Sequence, residues 1–341
     1  MARYVAGEVY AYSPFHQERL DASGLGRRGV RRQEDLARLP ALALSAVDPA
    51  ALVLRPETGR IVRYGGRRPA LEMRWARFTG TTEKLHRATV EPEYKPVRWT
   101  LAAGVPVGSA AADVDRLADL GRRVLELAGL RTNDVLVGVG LRTDDTGLWQ
   151  LAMGARHGGV PSLFLPPGAD PDTVAGLHPT TLAGPIEELA GLLQELILAR
   201  LHLPELRTLI ATGGEQGQGP PAARGELTAL AAEAQRGARV GGGPATEPVV
   251  VAAWAPAGAR ALWAECRGGD AFHTWPAAEI VQVAGREDEQ FSADGDLIWS
   301  ALGWRGSVLL RLATGAQGTL QMGPCPTCGR TTPRVRVAAF G

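Results

Sequence analysis

The chain has three cysteines, and two of them sit in the stretch CPTC, residues 325 to 328, followed at once by Gly329. A Cys-x-x-Cys turn that closes on glycine has the form of a zinc knuckle. Its backbone N–H groups point at the thiolate sulfurs, and glycine accepts the left-handed conformation that the turn requires. Two ligands do not complete a structural zinc site. The third cysteine, Cys266 in WAECRGGDAFHTW, is followed seven residues later by His273, one of six histidines. Cys266, His273, Cys325 and Cys328 form a Cys3His set that uses every thiol and joins two distant segments, which suits tetrahedral zinc. Four protein ligands leave no open position for water, so such a metal acts as a clip. The competing reading takes Cys325 and Cys328 as small turn residues, Cys266 as an ordinary buried thiol and His273 as a surface histidine.

A second candidate is FTGTTEKLHRAT, residues 78 to 89. Thr79, Gly80, Thr81, Thr82 and Lys84 bring hydroxyls, a glycine and a cation into one loop, which can wrap phosphate oxygens. A third is LIATGGEQ, residues 209 to 216, where Gly213, Gly214 and Glu215 follow a predicted strand. Ligands gather at such strand ends in open α/β sheets. No Ser-His-Asp or Cys-His catalytic set can be assembled from spacing.

The elements that must position these residues alternate. Leu117, Leu120, Val124 and Leu127 recur at helical steps, and Gly129 stands where a helix would end left-handed. DVLVGVG (134 to 140) reads as a buried strand, TGLWQLAMGARHGG as a helix and VPSLFLP as a strand. The helix PIEELAGLLQELILARLH (185 to 202), the strand RTLIAT (207 to 212), a helix near 222 to 236 and the strand PVVVAAW (248 to 254) follow. Apolar strands alternating with helices predict a parallel sheet covered on both faces. Beyond Trp254, AEIVQV, GDLIWSAL, SVLLRLA and RVRVAAF read as strands without long helices between them. The reading divides the chain into a lead-in at 1–75, an α/β body at 76–254 and a β-rich subdomain at 255–341.

With 341 residues the chain can bury a core without disulfide staples. Its 37 basic and 36 acidic residues give a net charge of +1, so no global field argues for nucleic acid or an anionic membrane. No apolar run approaches the ~18 residues of a spanning helix, and the N-terminus lacks a signal-peptide core. A soluble cytoplasmic protein is expected, in which paired cysteines hold metal more readily than they form a disulfide.

In this order, the quoted stretches resemble the phenylacetate-CoA ligase branch of the adenylate-forming enzymes. TGTTEK is similar to the family's phosphate loop S-G-T-T-G-K, and GGEQ to the G-G-E-P that cups adenine. ECRGGDAFHTWPAAEIV, GDLIWSALGWRGSVLLRLATGAQGTL and CPTCGRTTPRV resemble later family motifs. The resemblance implies the large-domain fold of those ligases, which join a carboxylate to AMP with Mg and ATP and pass the acyl group to coenzyme A. It implies an aromatic or other carboxylic acid as substrate, nucleotide contacts at Thr79, Gly80, Thr81, Thr82, Lys84, Gly213, Gly214 and Glu215, and a homodimer.

Several positions depart from the pattern. Glu83 replaces the phosphate-loop glycine, and AAWAP (252 to 256) stands where the family has Y-G-x-[ST]-E. Ala316 replaces the aspartate that holds the ribose hydroxyls, so a charge-assisted pair of hydrogen bonds is lost. The chain stops about where the family's hinge begins, before the domain carrying the catalytic lysine. Two expectations follow. One is a zinc-stabilised binding or accessory protein that has lost the chemistry. The other is an ATP- or AMP-binding half of a carboxylate-CoA ligase, completed by a partner protein that supplies the C-terminal domain.

Overall fold

A computed structural model describes residues 1–56, 74–213, 224–236, 247–284 and 295–340. The chain divides into two compact units. The first comprises Met1–Asp115, Ala277–Val281 and Ile298–Ala313; the second comprises Arg116–Pro276, Gln282–Leu297 and Thr314–Gly341.

In the first unit, short helical turns lead into the helix Pro14–Ala22, whose N-terminus is capped by Ser13 accepting the His16 N–H at 3.2 Å. His16 is buried with Nε2 2.8 Å from the Val308 carbonyl, and burial pulls its pKa down to about 4. Strands β1 (Arg98–Ala102) and β2 (Val105–Ser109) form a hairpin. Its two-residue turn, Ala103 and Gly104, has positive φ at both positions, as the twist of a tight hairpin requires. Asp113, fully buried, accepts N–H groups from Ala110, Arg305 and Gly306 at 2.7–2.9 Å, which ties distant segments through one carboxylate. The stretch 307–311 is not the strand its apolar sequence suggests. Ser307 Oγ accepts the Gly108 N–H at 2.9 Å, and Arg311 takes φ 59°, outside extended geometry.

The second unit is built on parallel strands β3 (Leu136–Val139), β4 (Ser162–Leu165), β5 (Thr181–Pro185), β6 (Thr208–Thr212) and β7 (Val249–Trp254), in the spatial order β4-β3-β5-β6-β7. Val137, Leu182 and Leu209 join the helices Ile186–Leu198 and Arg224–Arg236 in one core cluster with Leu189, Leu193 and Leu227. Alternate residues such as Leu136 and Ile210 are equally buried, so both faces are covered, as the unbroken apolar strands foretold. Strand β5 has no counterpart in the sequence reading, because its Thr-Thr start and Gly-Pro end leave only Leu182 and Ala183 between them.

Past β7 the sheet turns antiparallel through β8 (Trp263–Ala264) and β9 (Phe272–His273). Strands β10 (Glu279–Ala284), β11 (Gly295–Ala301), β12 (Leu312–Gln321) and β13 (Arg334–Phe340) complete an order β10-β11-β12-β13-β9-β8-β7. The buried ring of Trp254 packs edge-on against Trp263 at 5.6 Å and tilted against Phe272 at 6.0 Å, an aromatic core where the sheet changes direction.

The helices Ala111–Leu127 and Thr146–Gly158 touch backbone to backbone. A Cβ on Gly154 would lie 2.3 Å from the Gly121 carbonyl carbon, and one on Gly121 would lie 1.9 Å from the Gln150 oxygen. Gln150, buried between them, accepts the Leu262 N–H at 2.6 Å. Only glycine fits at either position without separating the helices. Gly154→Val is expected to destabilise the protein by at least about 2–3 kcal/mol through overpacking, read as a lowered midpoint in urea unfolding. An unchanged midpoint would contradict this packing.

Candidate metal centre

Three short pieces of backbone carry the Cys3His residues. Cys266 lies two residues past β8, at the start of a tight turn in which the Gly269 N–H donates to the Cys266 carbonyl at 2.8 Å. A Cβ on Gly269 would sit 2.9 Å from Cys266 Sγ, so this glycine lets the chain fold back against the sulfur. His273 ends β9, and the ladder sets it directly opposite Arg334 on β13. Cys325 and Cys328 occupy the link between β12 and β13. There the Cys325 N–H donates to the Arg330 carbonyl at 2.8 Å, and the Gly329 N–H donates to the Cys325 carbonyl at 2.9 Å. Gly329 has φ 72°, the left-handed conformation expected after the second cysteine.

The fold brings all four together. The three sulfurs and one ring nitrogen lie within 4.8 Å of one another. Cys266 Sγ and Cys325 Sγ are 3.8 Å apart, and Cys328 Sγ is 3.5 Å from His273 Nε2. Zinc bonds of about 2.3 Å to sulfur and about 2.0–2.1 Å to nitrogen, at the tetrahedral angle, put these edges at about 3.8 and about 3.5–3.6 Å. A disulfide would need about 2.05 Å. The spacing therefore matches ligands around a small tetrahedral cation, and the thiols are free. His273 Nδ1 faces Thr332 Oγ1 at 3.0 Å, which turns Nε2 toward the sulfurs.

The electrostatics of the cluster agree. Burial, reinforced by hydrogen bonding with the Cys328 and Cys325 thiols, pushes the Cys266 thiol up to about 12. Burial raises Cys325 too, but the N–H groups of Cys328 and Thr327 directed at its sulfur outweigh it and bring the thiol down to about 7. His273 is held down to about 4, first by burial and then by the guanidinium groups of Arg330 and Arg334. A neutral imidazole beside an easily formed thiolate is the donor set a divalent cation takes. With four protein donors the shell is closed, and the arrangement can hold a metal without activating water on it.

Next to Cys266 stands a pair that sequence reasoning missed. The buried Glu265 carboxylate takes two hydrogen bonds from Arg224, at 2.6 and 2.7 Å, and one from the Ala252 N–H at 3.3 Å. Burial raises its pKa, opposed by Arg224. No spacing signal links residues so far apart; only the sheet brings them together.

The nucleotide candidates are placed differently. Where the sequence suggests a loop, the chain runs as a helix over 74–79, turns at Gly80 with φ 71°, and enters the helix Thr82–Thr89. Thr79 Oγ1 lies 2.8 Å from Thr81 Oγ1 and donates to the Trp75 carbonyl at 3.1 Å. Lys84 is exposed on the first turn of the second helix. These residues belong to the first unit, whereas Gly213, whose N–H donates to the Ala253 carbonyl at 3.1 Å, belongs to the second. Gly214 and Glu215 lie outside the described residues. Ala316 is buried in β12, its N–H bonded to Thr314 Oγ1 at 3.2 Å.

No protein-family model and no curated protein matches the sequence. Solved structures do. The crystal structure of 2-hydroxyisobutyryl-CoA ligase in complex with 2-HIB-AMP and CoA, in the thioesterification state, superposes on 100% of this chain and 66% of its own, with TM-score 0.70 and 16% identity. The same ligase in the postadenylation state with R3-HIB-AMP covers 98% of this chain and 65% of its own, with TM-score 0.68 and 15% identity. A long-chain-fatty-acid-CoA ligase, FadD1 from Archaeoglobus fulgidus, covers 76% of this chain and 56% of its own, with TM-score 0.51 and 13% identity. The chain thus spans about two thirds of the length of the 2-hydroxyisobutyryl-CoA ligase, and over that length it has the α/β fold of the adenylate-forming CoA ligases.

Proposed function

We propose that this chain is a phenylacetate-CoA ligase-like protein, clipped by a structural zinc at Cys266, His273, Cys325 and Cys328, that acts by binding a ligand or partner and does not complete acid-to-thioester ligation on its own. The observation that carries the reading is Ala316. At the position where the resemblance expects an aspartate for the ribose hydroxyls, a buried methyl group stands in strand β12, and the nearby Thr314 hydroxyl is spent on the Leu297 carbonyl at 2.7 Å. A ribose arriving there would lose charge-assisted hydrogen bonds worth more than neutral ones. Trp254, in the AAWAP that stands where the family has Y-G-x-[ST]-E, is closed into the aromatic core with Trp263 and Phe272. The clip reading is supported by the tetrahedral spacing of the four donors.

The second reading is an acyl-adenylate-forming half of a carboxylate-CoA ligase, using ATP with Mg and coenzyme A on a carboxylic acid, with a partner supplying the catalytic lysine. The shared fold with a ligase crystallised with 2-HIB-AMP and CoA favours it. Titration calorimetry with ATP, AMP and a stable aryl-acyl adenylate mimic, each with and without Mg, separates the two. The first reading predicts no micromolar binding of any of them. Micromolar binding of the adenylate mimic would overturn it in favour of the second.

For the clip, protein purified without added zinc is expected to hold one zinc per chain by elemental analysis. Cys325→Ser is expected to lose it and to lower the thermal midpoint by roughly 4 °C, equivalent to about 3 kcal/mol for a chain of 341 residues. A serine variant with wild-type stability and no metal in either protein would contradict the clip.

A further inference from the structure

Arg334 begins β13 directly opposite His273 of β9. Residues paired in this way in an antiparallel ladder send their side chains to the same face, with Cβ atoms about 4.5–5.5 Å apart. The guanidinium therefore shares a face with the imidazole. Arg334 is nevertheless buried, at 7% exposure, and its Nε meets no hydrogen-bond partner among the described residues. Arginine keeps its charge under all conditions a folded protein meets, and a buried charge is destabilising unless a negative group faces it. The neighbouring arginines have acidic partners: Arg336 pairs with Asp270, and Arg330 lies 3.7 Å from Glu126. Among the described residues, Arg334 forms no ion pair with a carboxylate.

We infer that Arg334 is the counter-cation of the Cys3His centre. A divalent ion held by three thiolates and one neutral imidazole carries a single net negative charge, in a site where three of the four ligands are buried. The guanidinium across the strand pair balances that charge, and the metal–thiolate centre in turn supplies the anion that a buried arginine requires. The inference rests on the zinc reading above, and assigns to Arg334 a positioning and charge-balancing role outside the ligand shell. Charge at position 334 then matters more to metal binding than side-chain shape.

The test compares wild type, Arg334→Lys, Arg334→Gln and the control Arg336→Gln. Zinc dissociation constants are read by competition with a chromophoric chelator, and thermal midpoints are read for zinc-loaded and zinc-stripped protein. Arg334→Gln is expected to weaken zinc binding about tenfold to a hundredfold, the range for losing an outer-shell partner, with Arg334→Lys within about threefold of wild type. Arg336→Gln leaves binding unchanged. The midpoint gap between loaded and stripped protein narrows in Arg334→Gln, a change that a purely structural arginine would not produce, because its loss would lower both midpoints alike. Arg334→Met, which keeps the apolar stem, replaces the glutamine variant if that one does not fold. Equal zinc affinity in the lysine and the uncharged variants overturns the inference while leaving the clip intact. A wild type that takes up no zinc overturns both.

Discussion

Strands β8 and β9 are two residues long, and the ladder that carries the sheet from β7 to β13 runs through them. Two-residue strands contribute few hydrogen bonds, so the junction between the parallel and antiparallel halves depends on what else ties those residues down. The donor cluster lies there. Cys266 leaves β8, His273 ends β9, and Cys325 and Cys328 cap the link between β12 and β13, with all four donor atoms within 4.8 Å. A cation among them joins segments 59 residues apart in sequence, as the Cys266 and Cys325 pair is. Because a preformed site is absent from the unfolded chain, binding free energy there becomes folding free energy.

The same short segment is fastened from its other neighbours. Glu265 draws in Arg224 at the start of a helix and the Ala252 N–H of β7, while Trp263 and Phe272 pack on Trp254. The carboxylate of the ion pair, two rings of the aromatic cluster and two of the four candidate ligands therefore fall within one stretch of chain, Trp263 to His273. This concentration explains why the sequence from 263 to 273 tolerates two glycines in a turn: Gly268 with φ 75°, and Gly269 against the Cys266 sulfur.

Much of this was legible beforehand, for physical reasons that can be named. The helix Ala111–Leu127 was readable because Leu117, Leu120, Val124 and Leu127 keep one face and Gly129 ends it at φ 81°. The juxtaposition of Cys266, His273, Cys325 and Cys328 was readable because the chain has only three thiols and a histidine seven residues past the first of them. Strand β5 was hidden by polar ends, and its Thr180 neighbour is committed instead to the Asp134 carboxylate at 2.8 Å. The stretch 307–311 looked like a strand because its apolar residues are buried, though in irregular backbone. Thr332, Arg334 and the Arg224–Glu265 pair owe their roles to strand register and long-range packing, which periodicity does not encode. The helix over Thr82–Thr89 was missed because a Gly-Thr-Thr start reads as a loop until Thr79 and Thr81 are seen bonding to each other.

The most direct test of the central claim is X-ray absorption at the zinc edge on protein purified without added metal. The account predicts a zinc shell of three sulfurs at about 2.3 Å and one nitrogen at about 2.0–2.1 Å, with no bound water. A shell dominated by oxygen, or protein without an edge, would contradict it.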